Sequence, residues 1–584
     1  MDSNAAAARD FIEHETQFHL GALLTEQPHP KTVTLSQTTA SDISAGIAML
    51  QSVDGDIIGL ADTVFGSPEF ASLTADITST FRAGGRICFS GCGATGRLSI
   101  LLETMWRKYW KDTKTLPKGI AARYPDAADK VISIMTGGDF ALVRSVESFE
   151  DYTEFGREQV REAGLGAGDM LVAVSEGGET SSVIGTAFEA LAAGARVYFV
   201  CNNPLALLAK TVERSRIIID EPRVTKIELA SGPMAVAGST RMQATTSELL
   251  VLGAALEMSL ETILNPDDAG TAGAARFAEQ YAALQKILSC KENRDAMARM
   301  VSTEAAVYRA GGAITYLAKE MLLDIFTDTT ERSPTFMLPP FRRADDAVAP
   351  RSWAFVKHPG LSTVDAWRHV YVREPRCLDW TPEDYSRMGA PERARPFPPK
   401  ITKGDLMQFC IGNEPDASRC SSPEDTAVMV LFGNELRDTG FIDAGKKMSS
   451  GFTRSAAFII GDNAPGYDSE NVFHVRCKLP VSRLGLWKHL AAKLVMNTVS
   501  TATMALMGRI RGNWMMYVET SNKKLIDRGT RLIAEIAGVS YDEACYALFE
   551  TRDELTRWDA GTPRPSPVAR TIEKLTTAVP AGSI

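Results

Sequence analysis

The sequence predicts an α/β fold in which two doubly wound, flavodoxin-like parallel sheets lie in tandem, followed by a C-terminal helical lid. Short and almost continuously apolar runs alternate with longer stretches of helical periodicity. This is the pattern of buried parallel strands joined by helices. The pattern occurs twice along the chain, which predicts two sheets. Residues 486–584 show helical periodicity without such runs and therefore predict the lid.

The first sheet is predicted from five apolar runs, each a candidate strand. The stretches Leu98–Trp110 and Ser181–Ala193 lie between these runs and carry apolar residues at helical spacing. Ligands of a doubly wound sheet bind at the carboxyl ends of its strands, so we expect any site there. The predicted strands are Arg86–Ser90, Val131–Met135, Leu171–Ser175, Val197–Cys201 and Arg216–Ile219.

A second set of five runs predicts the second sheet. The last three runs of each set begin at similar spacings, which indicates a duplicated domain. The predicted strands of this set are Ala313–Leu317, Trp353–Val356, Val428–Phe432, Ala456–Ile460 and Val472–Val475.

These patterns divide the chain into an N-terminal helical segment (1–45), a first sheet domain (46–297), a second sheet domain (298–485) and a helical lid (486–584). The boundary near Met297 falls in the helical stretch Arg276–Tyr308. In the lid, Leu486–Met507 and Asn522–Ala537 predict two helices, the second ended by Gly538.

The composition excludes several classes of function. Sixty-three basic and 72 acidic residues give a net charge of −9, which argues against nucleic acid as a partner. The apolar windows are shorter than the roughly 20 residues that span a bilayer, so we expect no membrane partner. Nine irregularly spaced cysteines predict reduced thiols and a cytoplasmic protein. The seven histidines form no metal-binding pair, and we expect neither a metal nor another cofactor.

A glycine-rich loop, Gly91–Gly96, follows the first predicted strand and opens a helix. It matches G-x-G-x-x-G, a pattern that predicts a dinucleotide site only weakly when it stands alone. Such a site also needs an acidic residue about 20 residues further on, and Asp139 is too distant to serve. The other interpretation is a tight turn between strand and helix, in which the glycines are needed only for the backbone geometry.

A second loop, Val174–Ser182, follows the third predicted strand. Its hydroxyls and glycine amides meet at a helix N-terminus, where free N–H groups and the helix dipole favour an anion. A helix N-cap would need only one of these hydroxyls. Neither loop contains a lysine, so a sugar phosphate fits better than ATP.

These motifs resemble a known family. The Ser175–Thr180 loop is similar to the phosphate loop of SIS (sugar isomerase) domains. The segment Gly91–Arg97 resembles the first sugar-binding loop of one branch, which contains N-acetylmuramic acid 6-phosphate etherase and glucokinase regulatory protein. Further segments resemble motifs of this branch in the same order, namely Leu23–Thr32, Gly137–Asp139, Val146–Asp151, Gly238–Met242 and Lys493–Thr501. The resemblance spans roughly residues 20–550 and implies two fused SIS domains.

The resemblance also implies roles for individual residues. The phosphate would be held by Ser175, by Gly177, by the backbone of Glu179 and by Thr180. The sugar would meet Gly93 and Thr95 of the first loop. The glutamate of the branch corresponds to Glu150, and the lysine of its C-terminal helix to Lys493.

The etherase uses two carboxylates, one as a base beside the sugar carbonyl and one as an acid at the departing lactyl oxygen. Glu150 would be the base. The acid's position in the first domain is Met105, but Asp328–Phe336 of the second domain matches the acid's segment and supplies Glu331. One composite site per chain is therefore expected, because Leu317–Glu320 replaces the glycine loop in the second domain and Leu431–Asn434 replaces the serine loop.

The resemblance implies that the chain binds a hexose or amino-sugar 6-phosphate in a regulatory, ligand-sensing role. Etherase-like lyase chemistry is the alternative, and sugar-phosphate isomerisation is a second one. An isomerase usually needs a ring-opening histidine, and the sequence has none between His29 and His358. A sugar kinase would be the protein partner, although Lys478–Leu486 is shorter than the hydrophobic loop of the kinase-contacting relatives.

Overall fold

The computed structural model describes residues 3–146, 149–265, 273–392, 395–462, 471–558 and 564–577. Two residues of the predicted motif Val146–Asp151 lie outside this part of the chain. In the described part, two parallel sheets of five strands are flanked by helices, which confirms the predicted α/β class and the tandem sheets. The C-terminal region is helical, also as predicted.

Both sheets have the same topology. The first sheet has the order β2-β1-β3-β4-β5 and the second β10-β9-β8-β6-β7, so the first strand of each lies between its second and third. This shared order supports a duplication. The strands are β1 Ile87–Gly91, β2 Val131–Met135, β3 Met170–Val174, β4 Arg196–Cys201, β5 Val224–Glu228, β6 Ile314–Leu317, β7 Ala354–Lys357, β8 Thr426–Phe432, β9 Arg454–Ile460 and β10 Val472–Val475, with a small antiparallel hairpin of β11 Ile510–Arg511 and β12 Trp514–Met515.

The predicted strand Arg216–Ile219 is wrong, because these residues lie in the helix Glu213–Asp220. Only one face of this helix is covered, so Ile218 is buried whereas Ile217 is exposed. The true fifth strand is β5, an edge strand in which Thr225 and Lys226 are only partly buried. Its mixed polarity hides it from a search for apolar runs.

Helices connect the strands and form the C-terminal region. The predicted single stretch Arg276–Tyr308 is divided into two helices by a turn at Ser289 and Cys290. The helices are α1 Ser3–His14, α2 Leu35–Ser41, α3 Ile43–Asp54, α4 Ile57–Phe65, α5 Pro68–Arg82, α6 Gly93–Lys111, α7 Ile120–Arg123, α8 Thr153–Ala163, α9 Ser181–Ala192, α10 Leu205–Thr211, α11 Glu213–Asp220, α12 Gln243–Leu264, α13 Ala275–Leu288, α14 Lys291–Arg309, α15 Leu322–Phe336, α16 Thr363–Tyr371, α17 Pro382–Arg387, α18 Lys403–Leu406, α19 Thr439–Ser449, α20 Leu486–Leu506, α21 Lys523–Ala537, α22 Tyr541–Thr556 and α23 Pro567–Thr577.

The helical segment Ile43–Phe65 is long and apolar enough to cross a membrane by length and composition alone. It is divided into α3 and α4 by a turn at Gly55 and Asp56. Ile47, Leu50 and Val53 belong to the same apolar core as the first sheet. One face of the segment therefore packs on this core.

Two C-terminal helices position the candidate site. Helix α20 is almost wholly buried and packs against α12, α14 and α15, so it joins the two sheet domains. Helix α21 packs against α22 and α23 and ends at Gly538, whose φ of 68° confirms the predicted left-handed C-cap. Ser540 and Glu543 form the capping box that opens α22.

Candidate functional site

A cleft of about 140 Å³ opens at the carboxyl ends of β1 and β2, where a doubly wound sheet binds its ligands. Its walls come from the first sheet domain, from α15 of the second domain and from the C-terminal region. Its lining includes Cys92, Gly93, Ala94, Glu150, Gly238, Ser239, Thr240, Glu331, Asn522, Lys524 and Arg528.

The two predicted carboxylates, Glu150 and Glu331, line the same cleft although they come from different domains. Glu150 Oε1 accepts a hydrogen bond of 2.8 Å from Asn522 Nδ2. Glu331 is 6% exposed and forms an ion pair with Arg97 of α6, which is 1% exposed. The cleft is therefore a composite of both halves of the chain.

The glycine loop closes a tight turn between β1 and α6. Gly93 lines the cleft and has a φ of 54°. A Cβ atom on Gly91 would lie 2.5 Å from the backbone of Thr95, so this strand end must be glycine. The Thr95 hydroxyl accepts from the Cys92 amide at 3.0 Å and donates to its carbonyl at 2.8 Å. Thr95 thus caps the helix, and its hydroxyl is already engaged there.

The serine loop is held by hydrogen bonds between its own residues. Ser175, 1% exposed, donates from Oγ to Thr180 Oγ1 at 3.1 Å and accepts from the Thr180 amide at 3.3 Å. The carbonyl of Gly177 accepts from Asn203 Nδ2 at 3.2 Å. Thr180 begins α9 without making a side-chain cap bond, so its hydroxyl is not required to hold the helix end.

Glu179 connects this loop to the cleft through Lys524. The Glu179 carboxylate accepts from Lys524 Nζ at 2.7 Å and from Arg214 Nη2 at 2.6 Å. Burial alone would raise the pKa of Glu179, but Lys524 and Arg214 outweigh burial and lower this pKa to about 2. Burial opposes the charge of Lys524, yet Glu179 and Glu26 raise the pKa of Lys524, which stays protonated.

Arg528 is a second cation of the cleft, and it is held by the N-terminal segment. The Glu26 carboxylate accepts hydrogen bonds from Arg528 Nη2 at 2.6 Å and from Arg528 Nε at 2.9 Å. Burial opposes the charge of Glu26, but the nearby positive charge, that of Arg528 above all, holds the pKa of Glu26 well below its usual range. Gly238 has a φ of 71°, and a Cβ there would meet Arg528 Nε at 2.5 Å. The motifs at Leu23–Thr32 and Gly238–Met242 therefore serve to seat Arg528.

Sequence reasoning missed Lys524 and Arg528. They lie one helical turn apart in α21, a spacing that the sequence does show. What the sequence does not show is that α21 folds back over the first domain. Ser239 was also missed: it is 3% exposed and lines the cleft, and its Oγ has no hydrogen-bond partner among the described residues.

Lys493 lies in a neighbouring cavity of about 70 Å³. Its Nζ donates to the carbonyls of Arg241 and Met242 at 3.1 Å and to Thr246 Oγ1 at 2.6 Å. Burial lowers the pKa of Lys493 to about 8. The structure therefore brings Lys493 together with Glu331 in this neighbouring cavity, but does not place it in the cleft that Glu150 lines.

The equivalent edge of the second sheet carries a carboxylate. Glu435 accepts from the amide of Phe432 at 2.8 Å and from the amide of Glu320 at 2.7 Å. The Glu435 side chain thus already takes the amide groups that would bind an anion at these strand ends. This arrangement agrees with the expected single site per chain.

Part of the first sheet domain matches known proteins. Residues 69–190 match the family described as the glucokinase regulatory protein N-terminal SIS domain. N-acetylmuramic acid 6-phosphate etherase of Aeromonas hydrophila is 28% identical over 40% of this chain and 68% of its own length. The etherase of Erwinia tasmaniensis is 30% identical over 40% of this chain and 66% of its own length. Tagatose-6-phosphate ketose/aldose isomerase of Escherichia coli superposes with a TM-score of 0.44 at 11% identity, over 84% of this chain and 97% of that protein. The chain therefore resembles the SIS-domain phosphosugar family, in the branch of glucokinase regulatory protein and N-acetylmuramic acid 6-phosphate etherase.

Proposed function

We propose that the chain binds one hexose 6-phosphate or amino-sugar 6-phosphate in this cleft and acts as a ligand-sensing regulatory protein. The observation that carries the proposal is the position of Lys524, which lines the cleft and is bonded to Glu179 of the serine loop. A phosphate at the N-terminus of α9 would meet loop amides, the Thr180 hydroxyl and this ammonium group. Arg528 adds a second positive charge at the same wall.

The sugar would bind in the wider part of the cleft. Glu150 and Asn522, which are bonded to each other in the free protein, would bind its hydroxyls. Hydrogen bonds from charged groups contribute about 1.5–3 kcal/mol each, so micromolar affinity needs only a few of them.

Sensing would follow from the competition between the ligand phosphate and Glu179 for Lys524. Because Lys524 belongs to α21, which packs on α22 and α23, a change at Lys524 would be transmitted to the C-terminal surface. A sugar kinase is the partner that would recognise this surface, by analogy with the name of glucokinase regulatory protein.

Calorimetric titration tests the binding step. Fructose 6-phosphate, glucosamine 6-phosphate and N-acetylglucosamine 6-phosphate would each be titrated into the full chain, with the unphosphorylated sugars as controls. We expect at least one phosphate ester to bind at least tenfold more tightly than its parent sugar. Equal affinities for ester and sugar would contradict a phosphate site.

Etherase-like lyase chemistry is the second candidate, favoured by the meeting of Glu150 and Glu331 in one cleft. Such chemistry needs one carboxyl group that accepts a proton and one that donates it. Glu331 is bonded to Arg97, so it would have to leave this ion pair before it acted as the acid. Release of lactate from N-acetylmuramic acid 6-phosphate, lost in both Glu150→Gln and Glu331→Gln, would establish the lyase.

Isomerisation receives less support from the geometry. Among the described residues, no histidine lines the cleft, so ring opening would need another group. Conversion of glucosamine 6-phosphate or fructose 6-phosphate to another sugar phosphate would show this activity directly.

A further inference from the structure

A segment of the second sheet domain crosses the first sheet domain beside the cleft. This strap, residues 371–387, begins at the last residue of α16 and ends with α17. It lies in the chain between β7 and β8, yet it docks on the end of β2 and on α8, which belong to the first domain. The second domain thus reaches the side of the first domain that carries Glu150.

Two buried carboxylates of the first domain hold the start of the strap. Arg373 donates from Nε to Glu103 at 2.8 Å and from Nη2 to Asp139 at 3.1 Å. Arg376 Nη2 donates to Glu103 at 2.8 Å. Burial opposes the charge of Glu103, but Arg373 and Arg376 lower its pKa to about 2. These contacts are therefore charged at neutral pH.

The predicted motif Gly137–Asp139 receives the strap. Gly138 has a φ of 70°, and a Cβ atom there would lie 2.9 Å from Leu378 Cγ and 3.2 Å from the Arg376 carbonyl oxygen. The Asp139 amide donates to this carbonyl at 2.9 Å, and the Asp139 carboxylate accepts from the Arg376 amide at 2.6 Å. The motif thus takes part in docking the strap.

The other end of the strap packs on Phe149, the residue that precedes Glu150. Trp380 stacks on Phe149 with the ring centroids 5.8 Å apart and the ring planes 6° apart. Tyr385 meets the Phe149 ring at 77°, and Phe155 of α8 contacts the rings of both Phe149 and Trp380. Phe149 is 1% exposed, so its ring is fixed by this aromatic cluster.

Glu150 is held on its other side by α9 and α21. Its carbonyl accepts from the Ser182 amide at 3.0 Å, and its Oε1 accepts from Asn522 Nδ2 at 2.8 Å. An amide in the first turn of a helix has no acceptor within that helix, so Glu150 supplies the acceptor for Ser182. A displacement of Phe149 would therefore move Glu150 relative to both Ser182 and Asn522.

We propose that Trp380 is a positioning residue of the cleft, which fixes Glu150 by stacking on Phe149. Trp380 itself is not one of the described residues that line the cleft, so it acts through Phe149. A binding group needs such support from the residues around it to keep its geometry. The consequence for sugar binding rests on the proposed function, whereas the positioning of Glu150 does not.

Three variants test the proposal. Trp380→Ala removes the stacked ring, whereas Trp380→Phe keeps a ring and loses only the indole N–H, which donates to Glu162 at 2.5 Å. Trp353→Ala is the matched control, because Trp353 is also a half-buried tryptophan of the second domain and does not line the cleft. Its ring packs on Tyr308 instead, with the centroids 5.2 Å apart.

Hydrogen exchange of the Ser182 amide tests the positioning without any ligand. It would be measured on the full chain by mass spectrometry of peptides that contain Ser182. We expect exchange to be faster by about tenfold in Trp380→Ala and unchanged in Trp380→Phe and Trp353→Ala. Ser182 belongs to α9 and not to the aromatic cluster, so a purely local loss of packing at the strap would leave its exchange unchanged.

Calorimetry tests the consequence for the ligand. The probe is whichever of fructose 6-phosphate, glucosamine 6-phosphate and N-acetylglucosamine 6-phosphate binds wild type most tightly. Trp380→Ala should weaken its binding by about tenfold, and Trp380→Phe should restore the affinity. In a Glu150→Gln background, Trp380→Ala should cause no further loss, because both changes act on the same contact.

The outcomes separate this proposal from the proposed function. The proposal is overturned if Ser182 exchanges equally fast in wild type and Trp380→Ala. It is also overturned if the sugar phosphate binds Trp380→Ala as tightly as wild type, or if the losses from Trp380→Ala and Glu150→Gln add. Faster Ser182 exchange in Trp380→Ala, with no sugar phosphate binding to wild type, would support the positioning of Glu150 and contradict the proposed function.

Discussion

Lys524 donates a hydrogen bond of 2.7 Å to the carboxylate of Glu179, and this contact joins the C-terminal helix α21 to the serine loop of the first sheet domain. The two residues are 345 positions apart in the sequence. Glu179 is buried and the Lys524 side chain is only 13% exposed, so the contact is largely shielded from water, in surroundings where charged hydrogen bonds are strong. A ligand phosphate that binds at this loop must share Lys524 with Glu179.

The first prediction concerns Lys524 itself. Lys524→Met should weaken sugar-phosphate binding by roughly 10- to 100-fold, because it removes a charge-assisted hydrogen bond to the phosphate. Lys523→Met is the matched control, since the neighbouring Lys523 bonds to Glu15 instead and does not line the cleft. Calorimetric titration checks both variants. Equal losses in both would show that only the general charge of α21 matters.

The second prediction concerns the serine loop. Thr180→Val should weaken binding of the phosphate ester by roughly 10- to 100-fold. It should lower the melting temperature only modestly, because the Thr180 hydroxyl makes no side-chain cap bond and its loss removes a single hydrogen bond from Ser175 Oγ. Thr211→Val, on the exposed end of α10, serves as the control. Unchanged affinity in Thr180→Val would remove the loop from the binding site.

The third prediction concerns the ion pair of Arg97 and Glu331. Glu331→Gln leaves the Arg97 charge buried and unpaired, so we expect the free energy of unfolding to fall by about 3–5 kcal/mol. Glu320→Gln breaks the half-exposed pair with Lys488 and should cost less than about 1 kcal/mol. Urea unfolding measures both. Similar small losses would mean that the Arg97–Glu331 pair does not hold the domains together.

The fourth prediction concerns pH. Burial raises the pKa of Glu176, in the serine loop, to about 7, with Lys524 acting in the opposite direction. The folded protein thus keeps a proton that the unfolded chain releases near pH 4.5, so this contribution to stability is lost as the pH rises from about 5 to 7.

Glu176→Gln removes this titration. Relative to wild type, the variant should gain stability on the order of 3 kcal/mol between pH 5 and pH 8. Denaturant unfolding at both pH values is the measurement. A constant difference between the two proteins across this range would show that Glu176 ionises normally. The other buried glutamates titrate in both proteins, so the comparison isolates Glu176.

The sequence predicted β1 to β4 and β6 to β10 because these strands are short apolar runs, including β10, an edge strand in which only alternate residues are buried. It missed β5, since an edge strand shares its polarity with loops. Glu150 and Glu331 were found across two domains because each lies in a motif that can be recognised locally. Arg528 was not found, because its position depends on an ion pair with Glu26, which lies 502 residues away in the sequence. Lys493 was assigned to the sugar-phosphate site from a motif, and only packing shows that it lines the neighbouring cavity instead.

The central claim is that both halves of the chain and α21 build one sugar-phosphate site. The stoichiometry of binding tests it most directly, measured by calorimetry with the tightest-binding ester on wild type and on Lys524→Met. We predict one ester per chain for wild type, with the same stoichiometry and a 10- to 100-fold weaker affinity for the variant. Two esters per chain, or an affinity unaffected by Lys524→Met, would contradict the account.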